Sequence, residues 1–282
     1  MNTTANSICL HSTWRQATRS DSIPQTCSRG REMLFNHGAA LLSMRGISLA
    51  SLCLLMHLFQ DKITMILVLE NQDLRDSIKP QKVEFRSFNF NTSLHWQPGR
   101  AREPRDIIYF VQYKVYGQST WHNKDDCWGI QNHCCDLTNE TSDIREPYYG
   151  RVKAVSDGIY SDWSLSCRFT PWQESMIGPP TITVVHSNKF ILLKLQAPRS
   201  PYRRKRGSKI PMTNYYDLLY HVFITNNLLD KHDKVLMYEG KEKIIKIEDL
   251  RPGASYCIMA KTYVPALSRS SPYSSRQCTV LQ

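Results

Sequence analysis

Beyond about residue 72 the chain alternates apolar and polar positions in short runs, the pattern of half-buried strands. In Tyr109–Tyr116 one face carries Tyr109, Val111, Tyr113 and Val115, and the other Phe110, Gln112, Lys114 and Tyr116. Around Tyr148–Val155 one face is Tyr148, Gly150, Val152 and Ala154, with Tyr149, Arg151 and Lys153 opposite. Phe190–Leu195, Tyr216–Ile224 and Tyr256–Thr262 repeat the scheme. Runs of this length between Pro, Gly, Asn and Asp loops predict an all-β chain of sandwiches. A stiff junction, Phe169-Thr170-Pro171-Trp172 followed by Gly178-Pro179-Pro180, divides the strands into two tandem pieces, 73–174 and 175–282. Leu250-Arg251-Pro252-Gly253-Ala254-Ser255-Tyr256 has the form of a tyrosine corner, in which Tyr256 returns its hydroxyl to upstream backbone.

Residues 1–72 read differently. Met1–Gly38 is polar and without period. Arg45 then precedes an apolar run, Ile47–Phe59, and a second run, Ile63–Leu69, follows Gln60-Asp61-Lys62. A basic residue ahead of such a run has the layout of a signal segment, here 47–69. It lies far from Met1, so a start at Met33 or Met44, an unused leading part and a signal anchor are competing readings. The polar interruption makes spanning a bilayer costly, and the reading favoured is an unstructured leader ending in a cleaved signal. No later apolar stretch approaches the ~20 residues that a transmembrane helix needs, which predicts a mature chain without a membrane anchor.

Charge and cysteine usage narrow the classes. The formal charge is +11, and a hydrophobic content of 41% suffices for a core, which excludes wholesale disorder. Without residues 1–69 there remain 30 basic and 22 acidic residues, a charge of +8, and six cysteines. Cys127 and Cys135 bracket a short loop, and Cys257 and Cys278 sit on late strands that are positioned to be adjacent. One pair per sandwich suits an oxidising compartment. Cys134 and Cys167 are left over; they either pair with each other or Cys134 competes with Cys135 for Cys127. Zinc held by Cys127, His133, Cys134 and Cys135 is the weaker reading, because adjacent cysteines chelate awkwardly. Asn91-Thr92-Ser93 and Asn139-Glu140-Thr141 are N-glycosylation acceptors in the part read as secreted.

Nothing points to catalysis. There is no Gly-rich phosphate loop, nucleophile elbow or H-E-x-x-H helix, so no cofactor, metal or nucleic-acid partner is expected. The sharpest charge feature is Arg203-Arg204-Lys205-Arg206. It reads as a solvated loop, as a contact for a polyanion such as heparan sulfate, or as a furin-type cleavage site on an exposed tip. Tyr160-Ser161-Asp162-Trp163-Ser164 follows the strand bearing Arg151 and Lys153, which predicts Trp163 stacked over those cations.

The stretches Leu94–Arg100, Tyr109–Gln118, Asp126-Cys127-Trp128-Gly129, Glu146–Val152 and Arg168–Trp172 resemble a class II cytokine receptor ectodomain. The resemblance runs from about Lys79 to the C-terminus. It implies two fibronectin type III domains and binding of a helical cytokine, interleukin-22, through loops at the bend between them. It further implies that Tyr116-Gly117, with Gln118, fills the centre of the contact. Thr138–Thr141, with Thr138 and Glu140, and Asp157–Tyr160, with Asp157, Gly158 and Tyr160, would support it. Pro201–Asn214 and Pro265–Tyr273 would add contacts from the second domain. The function so implied is that of a secreted decoy receptor. A membrane-tethered receptor held by Ile47–Leu69, or a heparin-binding adhesion module, are the alternatives.

Overall fold

The computed structural model describes residues 49–100, 106–186, 190–226, 234–248, 250–251 and 253–280. Most of the expected leader, including Arg45, Ile47, Cys9 and Cys27, lies outside them. Its remainder is not unstructured: Leu49–Ile78 is a single helix, α1, running past the expected end of the leader at residue 72. The cause is local. This segment contains no Gly or Pro and is dominated by Leu, Met and other good helix formers. Lys79-Pro80 then stops it, because a residue preceding proline is driven out of the α region. Leu54, Phe59, Ile66 and Leu69 are among its exposed side chains. No helix among the described residues is long and apolar enough to cross a membrane.

The first sandwich contains β1 (Gln81–Phe88), β2 (Asn91–Gln97), β3 (Ile108–Val115), β4 (His122–Ile130) and β5 (Cys134–Asp136). It is completed by β6 (Tyr148–Ser156), β7 (Ile159–Tyr160) and β8 (Ser164–Leu165). One sheet has the order β1-β2-β5; the other runs β4-β3-β6-β7, with β8 also on β6. The β3–β6 register pairs Ile108 with Val155 and Val115 with Tyr148, so consecutive partners present the same alternation to the core. Tyr109, Val111, Tyr148, Val152 and Ala154 are buried, as the period-two pattern predicts, and each full-sized apolar side chain contributes about 1.5–3 kcal/mol. Gly150 interrupts this row for a steric reason: a Cβ there would sit 2.8 Å from both methyls of Leu94.

After a single helical turn, α2 (Pro171–Glu174), the second sandwich begins with β9 (Thr181–His186) and β10 (Ile191–Gln196). A hairpin of β11 (Arg199–Arg203) and β12 (Lys209–Pro211) follows. The remaining strands are β13 (Leu219–Asn226), β14 (Val235–Gly240), β15 (Ile244–Ile247), β16 (Ser255–Val264), β17 (Arg269–Ser270) and β18 (Gln277–Val280). The sheets are β15-β10-β9 and β14-β13-β16-β17, the latter with β18 on β16. Ile191, Leu193, Leu195, Tyr220, Val222, Ile258 and Ala260 form the core between them. The tyrosine corner is present: the Arg251 backbone N–H donates to the Tyr256 hydroxyl at 2.9 Å.

The disulfides play different parts. Cys127–Cys135 ties β4 to β5 and so joins the two sheets of the first sandwich. Cys257–Cys278 links directly opposed residues of β16 and β18 within one sheet. Each loop closure contributes about 2–4 kcal/mol by restricting the unfolded chain. The first bond consumes two thiolates of the zinc candidate. Cys167 is a free, exposed thiol while Cys134 is itself disulfide-bonded. Neither open possibility for Cys134 is therefore realised.

Candidate functional site at the elbow between the sandwiches

Two sandwiches in series bury little against each other unless their loops supply an apolar seam. Here the seam is built from Phe90, Ile177, Met212, Tyr216, Leu218 and Val264, with Ile144, Trp172, Tyr202 and Tyr215 packed around them. Phe90 is fully buried although it belongs to the tight turn between β1 and β2. The turn demands a left-handed backbone at both central residues, and Asn89 and Phe90 have φ of 50° and 67°. This conformation points the Phe90 ring at Tyr202, Tyr215 and Tyr216, with centroids 6.4, 5.0 and 5.7 Å away.

Hydrogen bonds fix the seam. Gly178 N–H donates to Asn89 Oδ1 at 2.8 Å, and Thr262 Oγ1 donates to Gly178 O at 2.9 Å. The Tyr216 hydroxyl donates to Trp172 O at 2.7 Å; that of Tyr202 reaches Thr138 O at 3.2 Å and Thr141 O at 3.4 Å. Arg269 donates to Gln173 O. Burial pushes the Tyr202 and Tyr216 phenols well above their ordinary range and Tyr148, beside Asp143, up to about 12. All three therefore act as neutral donors at physiological pH.

The turn after β3 opens on this elbow. Val115 is paired with Tyr148 at the start of β6, Tyr116 N–H donates to Pro147 O at 2.8 Å, and Gln118 N–H closes on Val115 O. Gly117 has φ of +83° with nothing within 4 Å of where a Cβ would lie, so glycine is required by the backbone there and not by crowding. Tyr116 is 56% exposed. Its ring lies 6.2 Å from Tyr149 and 5.8 Å below the Arg168 guanidinium, which holds it in place without covering it.

The remaining expected contact residues divide. Thr138 lies at the elbow but is buried: its Oγ1 accepts from Thr92 N–H at 3.0 Å. It shapes the loop and presents no side chain to a partner. Glu140 is half-buried and ion-paired with Lys124 at 2.7 Å, and Lys124 also meets Asp126 at 2.9 Å. Burial pulls the Lys124 ammonium down, but the hydrogen bonds and charges of Glu140 and Asp126 outweigh it and hold it above its ordinary value. Asp157, Gly158 and Tyr160 do not join the elbow. They follow the far end of β6, nine residues from Tyr148, which at about 3.3 Å per residue is roughly 25–30 Å away. There the Asp157-Gly158 turn (φ 50° and 76°) leads into β7.

The predicted cation stack runs along β6, from the β3–β4 turn toward that distal end. Arg151 and Lys153 lie 4.4 and 4.8 Å from the Trp163 ring. Two partners escaped the sequence reading: Trp121, 4.1 Å from Arg151, and Tyr160, 4.9 Å from Lys153. Trp121 precedes β4 with no alternating run to announce it. In the second sandwich the β11–β12 hairpin, with Arg203, Arg204, Lys205 and Arg206 at its exposed tip, rises beside the elbow through Tyr202.

Comparison with known proteins bears on the family and the fold. Residues 50–163 match the family described as tissue factor, and residues 175–282 match the interferon-alpha/beta receptor fibronectin type III family. The chain is 44% identical to the interleukin-22 receptor subunit alpha-2 of Homo sapiens, covering 73% of this chain and 90% of that one. It is 45% identical to the protein of that name in Rattus norvegicus, covering 79% and 97%. Identity to the Homo sapiens interleukin-20 receptor subunit alpha is 33%, over 71% of this chain and 36% of that one. A crystal structure of the chicken interferon gamma receptor alpha chain superposes with a TM-score of 0.52 at 23% identity, covering 72% of this chain and 98% of that one, and shows the shared fold.

Proposed function

Because the chain belongs to the class II cytokine receptor family, we propose that it is a secreted decoy receptor that binds interleukin-22 and keeps it from the membrane signalling receptor. The observation that carries the choice of cytokine is the 44–46% identity to interleukin-22 receptor subunit alpha-2 proteins of three species, over 90% or more of each. The family and fold are those of binding ectodomains, and inhibition by occupancy needs no chemistry. It follows from mass action and slow dissociation.

The contact surface in this reading is the elbow, centred on Tyr116 and Gly117 with Gln118 beside them. The rim is the loop around Asn139 and Glu140 and the second-domain loops that pack through Tyr202 and Arg269. An exposed, braced aromatic next to a glycine turn is the form that interface hot spots favour. Secretion is supported by the disulfides Cys127–Cys135 and Cys257–Cys278 and by the exposed asparagines of both sequons, Asn91 and Asn139. Domains 73–174 and 175–282 then follow a leader whose segment 47–69 is removed as a signal.

The test is expression of the full open reading frame in mammalian cells. The expected result is protein in the medium that captures interleukin-22 and competes with the signalling receptor for it. Protein in the medium that fails to capture the cytokine overturns the reading and leaves an adhesion module as its successor. A cell-bound product whose mature N-terminus retains Ile47–Leu69 overturns secretion in favour of a tethered receptor.

A further inference from the structure

The β11–β12 hairpin carries a concentration of charge that no acidic side chain among the described residues answers. Of residues 199–209, six are basic: Arg199, Arg203, Arg204, Lys205, Arg206 and Lys209. No Asp or Glu occurs between Glu174 and Asp217. Several cations elsewhere in the described structure have partners: Arg86 pairs with Glu84, Lys241 with Asp217 and Lys246 with Glu248, while the partly buried Arg151 and Lys153 stack on rings. Among the described residues, none of the six hairpin cations makes a salt bridge. Arg203 and Lys209 are moreover direct cross-strand partners, which brings their Cβ atoms to about 5 Å and sets like charges opposite each other, an arrangement that weakens an isolated ladder.

From this geometry we infer that the hairpin is a binding site for a sulfated polysaccharide. Three features make it a built surface. Its inner side is anchored, with Ser200 fully buried and the Tyr202 hydroxyl bonded to the first sandwich, so alternation leaves Arg199 and Arg203 outward. Its tip is locked by Arg204 N–H to Ser208 O at 2.9 Å, Gly207 N–H to Arg204 O at 2.8 Å and Arg203 Nη1 to Gly207 O at 2.7 Å. Gly207 supplies the required left-handed backbone at φ +86°. Cations held on a closed turn lose little freedom on binding.

The donor set selects the ligand. Four of the six are arginines, whose planar forks pair bidentately with tetrahedral oxyanions. The disulfides favour an oxidising, extracellular setting, where sulfated polysaccharides, and not nucleic acids, are the abundant polyanions. The tip Arg203-Arg204-Lys205-Arg206-Gly207-Ser208-Lys209 offers no apolar side chain to insert into a bilayer, which disfavours a lipid surface. The closed turn also argues against cleavage after Arg206, since it holds the recognition residues out of an extended form. Retention of the secreted chain at cell surfaces and matrix, the consequence for function, rests on the decoy reading; the binding itself does not.

The experiment measures binding of the full chain to immobilised heparin as a function of NaCl concentration. Each engaged cation contributes about 0.7–0.9 to the slope of log Kd against log salt. Replacing Arg203, Arg204, Lys205 and Arg206 by Ala is expected to remove about three units of slope and to weaken binding at physiological salt at least about tenfold. A control lacking Lys194, Lys241, Lys243 and Lys246 has the same net charge and is expected to stay within about twofold of the unmodified chain, the spread allowed for general screening. Gln replacements at the four hairpin positions must reproduce the Ala result, and unchanged urea midpoints show that the fold is kept. Equal losses in hairpin and control variants would mean that only overall charge matters, and would overturn the site. So would equal binding to phosphatidylserine vesicles, or two bands on a reducing gel that collapse to one in Arg206→Ala.

Discussion

Phe90 offers the most demanding test of how the elbow is held. Its ring is completely buried among Ile177, Met212, Tyr216, Leu218 and Val264, yet its backbone sits at φ 67°. Truncating a fully buried phenylalanine to alanine costs about 3–5 kcal/mol, and three aromatic neighbours place this site toward the upper end. Alanine leaves the backbone penalty in place, because any Cβ in the left-handed region costs about 1–2 kcal/mol. Glycine removes both the ring and the penalty. Its greater freedom in the unfolded chain takes back part of that gain, about 0.5–1 kcal/mol. Phe90→Gly is therefore expected to be more stable than Phe90→Ala by about 0.5–1 kcal/mol, the reverse of the usual order at a buried site.

The assay is urea unfolding followed by tryptophan fluorescence, since Trp172 packs on the same seam, with near-ultraviolet circular dichroism as a second probe. Both variants should shift the midpoint down, alanine further. A loss below about 1 kcal/mol for Phe90→Ala would mean that the ring contributes little to the seam. An alanine variant at least as stable as the glycine variant would show that the turn is not strained at this residue. Either outcome refutes the account of an elbow built around one ring on an unfavourable backbone.

Three further outcomes follow from the geometry. Tyr116→Ala is expected to weaken interleukin-22 capture by about 2 kcal/mol or more while leaving the urea midpoint unchanged, and capture at unmodified strength would remove Tyr116 from the contact. Trp163→Ala should lower stability by about 1–2 kcal/mol, from two partly exposed cation contacts at roughly 0.5–1 each, with a smaller loss of capture than Tyr116→Ala because Trp163 reaches the Tyr116 turn only through Arg151 and Trp121; thermal unfolding and cytokine titration read the two effects separately. Stability should fall as pH rises above 10, because Tyr148, Tyr202 and Tyr216 keep their protons in the folded chain when the unfolded chain has lost them. The slope is up to about 1.4 kcal/mol per pH unit for each phenol, measured as the urea midpoint between pH 9 and 11.5, and a midpoint flat through that window would contradict their burial.

The features legible in the sequence are those written in local spacing. Alternation in Tyr109–Tyr116 and Tyr148–Val155 is period two whatever the rest of the chain does, so it survives intact as β3 and β6. The tyrosine corner and the Trp163 stack are likewise set by residues a few positions apart or on neighbouring strands. The misplacement of Asp157, Gly158 and Tyr160 has a different origin. The family resemblance puts the loops after both strands at one contact, but β3 and β6 are antiparallel neighbours. Their exits must therefore face opposite ends of the domain. That signal is present in the sequence as strand parity, which a resemblance between loops does not weigh. Thr138 and Glu140 lie at the elbow, but how far each side chain is covered was not legible, since a polar residue in a loop reads as exposed until its partners, Thr92 and Lys124, are brought beside it by folding. The helix at Leu49–Ile78 was hidden because an apolar run ahead of a fold is read by its hydrophobicity before its helix propensity.

The elbow also bears on the sequestration proposed for this chain. An affinity that must outlast competition is set mainly by dissociation, and dissociation is slowed when the contact surface needs no ordering on binding. The seam supplies that condition directly. Asn89 and Gly178, Tyr202 and Thr138, Tyr216 and Trp172 are bonded across it, so the Tyr116 turn and the second-domain loops are held in one arrangement before a partner arrives. Loosening Phe90 should then raise the dissociation rate of interleukin-22 far more than it changes the association rate, although Phe90 is itself fully buried. A variant at Phe90 that released the cytokine no faster would separate the stability of the elbow from its function and leave Tyr116 to act alone.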